Sequence, residues 1–183
     1  MSRLGVTVQV LAGGDIYPAL ERGAIDATEF VGAYDDEKLG FYQVAKNYYY
    51  PGWWEPGLTS SLQVSKSAFN ELPATYQEAL KSACTETLPE TLAAYDAANP
   101  IALEKLVRQE GVVLREFPRD MLEAAWKASN DYLEEQASGD ETFRRVYENW
   151  KAFRARAFPY FAGNELAYAD FAFRKIGNAD MKS

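Results

Sequence analysis

Residues 6–31 alternate two β-prone runs with a short helical one, and this pattern does most to restrict what the chain can fold into. Val6, Val8 and Val10 belong to a run rich in β-branched residues, which favour extended backbone. Gly13-Gly14 ends that run. Asp15 is placed to cap a helix through Ile16, Ala19, Leu20 and Arg22, with Pro18 tolerated in its first turn. Gly23 stops the helix, and residues 24–31 read as a second strand. A strand, a helix and a strand at this spacing make a βαβ unit, which favours a parallel sheet and an α/β class.

The rest of the chain is mostly helical. Residues 32–36 form a turn, with Asp35 and Asp36 ahead of a helical run through Leu39, Tyr42, Val44 and Ala45. Residues 48–57 set two Pro-Gly breaks around Trp53, Trp54 and Glu55. Residues 58–64 are a further strand candidate, followed by a helical turn over 67–72. Pro73 starts a helix whose apolar stripe is Tyr76, Leu80, Ala83, Cys84 and Leu88. Pro89 and Pro100 are expected to kink or interrupt it, and Gly111 to stop it before a strand at 112–117. Leu122, Ala125, Trp126, Ser129 and Leu133 mark the next helix face. Residues 138–141 read as a break with a capping box, and the apolar seam from Phe143 continues beyond it, so residues 118–175 read as one long broken helix. Three segments result: 1–66, 67–117 and 118–183.

Composition excludes several chemistries. The 183 residues contain no His and one Cys, so there is no Ser-His-Asp or Cys-His arrangement, no His metal ligand and no internal disulfide. The net charge of −8 argues against nucleic-acid binding. No run approaches the roughly 18 apolar residues that span a bilayer, and residues 1–11 lack the core of an export signal.

Glu29 falls at the end of a strand candidate, where ligands of open α/β sheets bind, and Glu55 lies in a loop beside two tryptophans. Two carboxylates converging in aromatic surroundings would repel each other and lose solvation, and a hard cation would relieve both costs. Two solvated loop glutamates are the plainer alternative. Trp53 and Trp54 suit a pocket wall or ordinary core. Tyr34, Asp35 and Asp36 suit a polar site, although helix capping accounts for the aspartates equally. Gly13-Gly14 could form an anion-binding nest, a weak signal by itself. Cys84 is expected to be buried and inert.

Four blocks together are distinctive: residues 13–23, opening Gly13-Gly14-Asp15-Ile16-Tyr17-Pro18; Ile25-Asp26-Ala27-Thr28-Glu29-Phe30-Val31-Gly32; Tyr34-Asp35-Asp36; and Tyr48-Tyr49-Tyr50-Pro51-Gly52-Trp53-Trp54-Glu55-Pro56-Gly57. They resemble the solute-binding subunits of tripartite ATP-independent periplasmic (TRAP) transporters, nearest the branch that takes 2-oxo and 2-hydroxy monocarboxylates with a metal ion. The resemblance implies a receptor without turnover, of an α/β, periplasmic binding protein-like (type II-like) fold, working in the periplasm with TRAP membrane subunits. It implies a Na⁺ or Ca²⁺ ion held by the side chains of Glu29 and Glu55 and the main-chain oxygen of Phe30. Phe30, Tyr34 and Trp54 would line the small-carboxylate site. Relatives commonly have Trp in place of Phe30, a change that keeps the carbonyl but alters the pocket wall. Ala33 stands where Pro is common.

Chains of this family are about twice as long. The resemblance therefore implies the second half of a two-lobed receptor: residues 1–66 in the second lobe with the site, 67–117 packing on the first lobe, and 118–183 as the long C-terminal helix and aromatic tail. The first half normally brings a carboxylate-binding Arg and a further metal ligand, so this half should bind solute poorly. Apolar faces without their cover favour self-association or a companion chain, with the C-terminal helix as the homo-oligomer contact. Two other readings stand beside this one: an acid/base enzyme using Glu29 and Glu55, and a helical interaction module.

Overall fold

The computed structural model describes residues 1–57 and 60–180, the last five of these by backbone alone. The helices and strands, in order, are α1 (Gly13–Glu21), α2 (Ala33–Lys38), β1 (Asn47–Tyr50), α3 (Lys66–Glu71), α4 (Ala74–Arg108), β2 (Val113–Glu116), α5 (Arg119–Gly139), α6 (Glu141–Phe161) and α7 (Ala167–Asp180). They divide into two compact units, Met1–Leu122 and Glu123–Ser183.

In the first unit, α1 begins at Gly13, three residues earlier than an Asp15 cap would place it. Its end is set locally. Gly23 adopts φ 67°, a left-handed conformation that costs glycine little. Its N–H bonds the Leu20 carbonyl at 3.0 Å, and the Ala24 N–H bonds the Ala19 carbonyl at 2.8 Å. These two bonds form a Schellman turn, which satisfies carbonyls that the helix would otherwise leave open.

The sheet is parallel, as expected, but its strands differ from those anticipated. β1 pairs with β2, Asn47 opposite Val113 and Tyr50 opposite Glu116. The pairing extends at both ends, where Val113 N–H meets the Lys46 carbonyl and Phe117 N–H the Tyr50 carbonyl, both at 2.8 Å. The crossover between them contains α4, the helical connection that parallel neighbours require. Residues 6–11 and 24–31 form no strand among the described residues. Their composition favours extended backbone, but a strand exists only where another supplies its hydrogen bonds. Val10 is accordingly 95% exposed. The strand candidate at 58–64 begins at residues outside the described set, and 60–64 have no regular structure.

α4 runs unbroken through Pro89 and Pro100. Each proline removes one ladder N–H without ending the helix. The stripe read along its first half is largely open: Tyr76 is 63% and Leu88 62% exposed, and Cys84 is exposed rather than buried. Burial begins in the second half. Ala102 and Leu106 pack with Ala33 of α2 and with Val112, covered by Tyr34, Tyr42, Tyr48 and Leu103. This cluster joins α2, α4 and the approach to β2.

In the second unit, Asp140 caps α6 by accepting the Phe143 N–H at 2.8 Å. The break there is a reversal. Glu134 accepts bonds from Tyr147 Oη at 3.1 Å and Lys151 Nζ at 2.9 Å, and the Arg154 guanidinium sits over both the Trp126 and Trp150 rings. Contacts that move outward in step on both sides of Asp140 make α5 and α6 an antiparallel hairpin. The expected single broken helix holds only from α6 onward, through a π-helical segment at Ala162–Leu166 into α7.

Leu106 is 2% exposed and lies at the centre of the first unit's core. Leu106→Ala is expected to lower unfolding free energy by about 2–5 kcal/mol, read as a drop in the urea midpoint at unchanged m-value.

Candidate functional site

α2 and the chain entering it carry most of the candidate site residues. Residues 29–32 lead directly into the helix, and Asp35 and Asp36 occupy its first turn, where carboxylates complement the helix dipole. The helix thus starts at Ala33, where a turn was expected, so that both aspartates lie inside it, and it ends at Lys38 before the run expected through Leu39 to Ala45.

Phe30 is fixed by its ring. The ring meets Phe41 edge-on at 5.9 Å between centroids, and a Cβ on Gly13 would come within 3.3 Å of it. The start of α1 therefore packs directly on Phe30. The Phe30 carbonyl accepts no hydrogen bond among the described residues, and the Glu29 carboxylate is exposed without a hydrogen bond or ion pair. Glu29 is near enough to Asp36 for its charge to act there.

Tyr34 is half-buried. Its ring meets Tyr95 of α4 edge-on at 6.0 Å, and Lys38 Nζ lies 3.7 Å from its centre. Its N–H donates to Asn99 Oδ1 at 3.1 Å. Asp36 Oδ2 accepts the Tyr48 hydroxyl at 2.6 Å, which joins α2 to β1. Oδ1 of Asp36 and Oδ2 of Asp35 are buried with no hydrogen-bond partner. Burial pushes the Asp36 carboxyl above its ordinary pKa, and the charges of Asp35 and Glu29 add to it. The Tyr48 hydroxyl and the Val31 backbone offset this only in part. Burial, with the Asp36 carboxylate beside it, likewise raises the Tyr48 phenol.

Trp54 and Glu55 sit on a separate turn, closed by the Glu55 N–H on the Gly52 carbonyl at 3.3 Å. Trp54 packs edge-on against Trp53 and against Phe117, which follows β2. Glu55 is exposed. Among the described residues no direct contact joins Glu55 to Glu29, and no group of three or more acidic or Cys side chains is arranged to hold a metal. Among the described residues, what remains is two carboxylates without a hydrogen bond or ion pair and one open carbonyl. These are hard oxygen donors, suited to Na⁺ or Ca²⁺ and unsuited to soft metals.

A profile of the bacterial extracellular solute-binding protein family 7 (DctP) matches residues 1–140. The chain belongs to this family. Among its DctP relatives, the monocarboxylate 2-oxoacid-binding periplasmic protein of Nostoc sp. is 53% identical over 172 residues, which cover 94% of this chain and 47% of that protein. A TRAP transporter solute-binding protein from Bordetella bronchiseptica, a mixed-occupancy dimer with calcium and picolinate in its active site, superposes with a TM-score of 0.89. It is 40% identical, over 97% of this chain and 53% of its own. The Colwellia psychrerythraea protein, with bound calcium and pyruvate, has a TM-score of 0.83 at 31% identity, over 92% of this chain and 52% of its own. A Pseudoalteromonas atlantica protein with sodium and pyruvate has the same TM-score at 28% identity, over 92% of this chain and 51% of its own. This DctP chain spans about half the length of each relative.

Sequence reasoning missed Tyr95 and Asn99, which reach α2 from α4. With Ala102 and Leu106 they share one face at helical spacing, and that periodicity was the available signal.

Asp36→Asn is expected to raise the urea midpoint at pH 7, because burial and the charges of Asp35 and Glu29 disfavour a carboxylate there. Its native pKa lies above the unfolded value, so the cost of ionisation is greatest above the native pKa and fades as pH falls towards the unfolded one. The advantage of Asn should shrink on acidification to pH 4, a trend that paired denaturations at the two pH values would measure.

Proposed function

We propose that this chain is the second half of a TRAP-type receptor that captures a small 2-oxo or 2-hydroxy carboxylate together with Na⁺ or Ca²⁺. The observation that carries the reading is the Glu29-Phe30 segment. An unengaged carboxylate and an open carbonyl stand side by side on backbone clamped by the Phe30 ring, in a chain 53% identical to a 2-oxoacid-binding protein.

In this reading Glu29 and Glu55 supply side-chain oxygens and Phe30 a main-chain oxygen. A bound cation neutralises the two carboxylates and presents a positive centre to the solute's carboxylate and its neighbouring oxygen. Trp54 and Tyr34 form the wall. The exposed half of α4, the open run at residues 6–11 and the aromatic α6–α7 helix are surfaces that the first lobe or a second copy would cover. Residues 1–66 then belong to the site-bearing lobe, 67–117 pack on the first lobe and 118–183 form the C-terminal helical part. The receptor acts in the periplasm without turnover and delivers its solute to TRAP membrane subunits after lobe closure.

Calorimetric titration of the full-length receptor with pyruvate, with and without calcium or sodium, tests the proposal. Tight pyruvate binding is expected only with the ion present. Glu55→Gln is expected to weaken calcium and pyruvate together by about tenfold or more, with an unchanged circular dichroism spectrum. Pyruvate affinity that is indifferent to both the ion and the substitution would contradict it.

A further inference from the structure

The start of α2 is held from outside the helix. Gly32, the residue before it, carries no capping side chain, and its backbone is extended. Helix N-termini leave several N–H groups open, and a side-chain oxygen at the preceding position usually takes one. Here that oxygen comes from α4: Asn99 Oδ1 accepts the Tyr34 N–H at 3.1 Å, across 65 positions of chain. The same oxygen lies 3.2 Å from where a Cβ on Gly32 would stand. Glycine at this position is what lets Asn99 come so close.

The contacts around this bond make the joint between the two helices firm. Lys105 of α4 pairs with Glu37 of α2. Tyr95 meets the Tyr34 ring, and Ala102 and Leu106 bury against Ala33. Only Val31 and Gly32 separate Phe30 from the helix that Asn99 caps. The direction of the first α2 turn therefore sets where the Phe30 carbonyl and the Glu29 side chain face.

We infer that Asn99 is a positioning residue for the cation site: by capping the Tyr34 N–H from α4, it fixes the Glu29-Phe30 segment whose oxygens would meet the ion. Asn99 bonds α2 and lies against Gly32, and so acts on the site through the backbone. The inference rests on the cation-and-carboxylate reading above and adds a residue that the reading does not contain. It also ties the site to α4.

The test is calcium affinity in the full-length receptor at saturating pyruvate, measured by calorimetry alongside melting temperature. Asn99→Ala is expected to weaken calcium about five- to tenfold, the scale of one lost hydrogen bond. Asn99→Asp keeps an acceptor suited to a helix N-terminus and should stay within about twofold of wild type. Gly32→Ala reaches the same contact from the other side and should weaken calcium similarly. Combining it with Asn99→Ala should add little, since both disrupt one approach. If these variants lower the melting temperature but leave calcium affinity of the folded protein unchanged, the positioning role is wrong. It is equally wrong if Asn99→Asp falls as far as Asn99→Ala. A wild-type receptor that binds neither calcium nor pyruvate would overturn the receptor reading itself, and this inference with it.

Discussion

The packing of α2 on the second half of α4 is the contact on which the rest of the first unit depends. Leu106 and Ala102 bury against Ala33, and Val112 closes the cluster on the way into β2. Apolar burial of this kind has no direction of its own. Direction comes from the polar contacts at its edge: Asn99 on the Tyr34 N–H, Lys105 with Glu37, and Tyr48 on Asp36. One helix is thereby tied both to α4 and to β1, and the residues that lead into it inherit a fixed position.

That position matters because the candidate ligands are short and local. A main-chain oxygen cannot be aimed by a rotamer. The Phe30 carbonyl goes where its backbone goes, and the backbone is clamped by the Phe30 ring between Gly13 and Phe41 and by the capped start of α2. The acidic residues beside it are held at some cost, shown by the raised pKa of Asp36 and by two buried carboxylate oxygens without hydrogen bonds. A nearby cation would offset that cost, which gives the unfavourable clustering of charge a physical purpose in the proposed receptor.

Features set by a few neighbouring residues were legible before the structure. The Gly23 turn, the break over residues 138–141, α3 and β2 all fall where local chemistry puts them, although Asp140 caps α6 in place of a box from Ser138 to Glu141. The family blocks pointed to the right kin for the same reason. Pairing was not legible. Residues 6–11 have better strand composition than the Tyr48–Tyr50 run, yet the latter is the strand, because its partner lies in register after a 35-residue helix. The fate of Cys84 and its stripe was obscured similarly, since periodicity marks a face without saying what covers it. The reversal at Asp140 looked like a kink, because a capping box starts a helix without giving its direction. Glu29, Phe30, Tyr34, Trp54 and Glu55 are candidates that the family resemblance names, whereas the contacts of Tyr95 and Asn99 with Tyr34 join segments more than sixty residues apart and went unread.

The account stands on three oxygen donors from two separate loops converging on one ion. A crystal structure of the full-length receptor grown with calcium and pyruvate, with the metal located by its anomalous signal, measures this directly. The account predicts a calcium ion about 2.3–2.6 Å from a Glu29 carboxylate oxygen, the Phe30 carbonyl and a Glu55 carboxylate oxygen, with pyruvate oxygens in the same shell. Calcium bound elsewhere, or pyruvate held with neither glutamate at the metal, would contradict it.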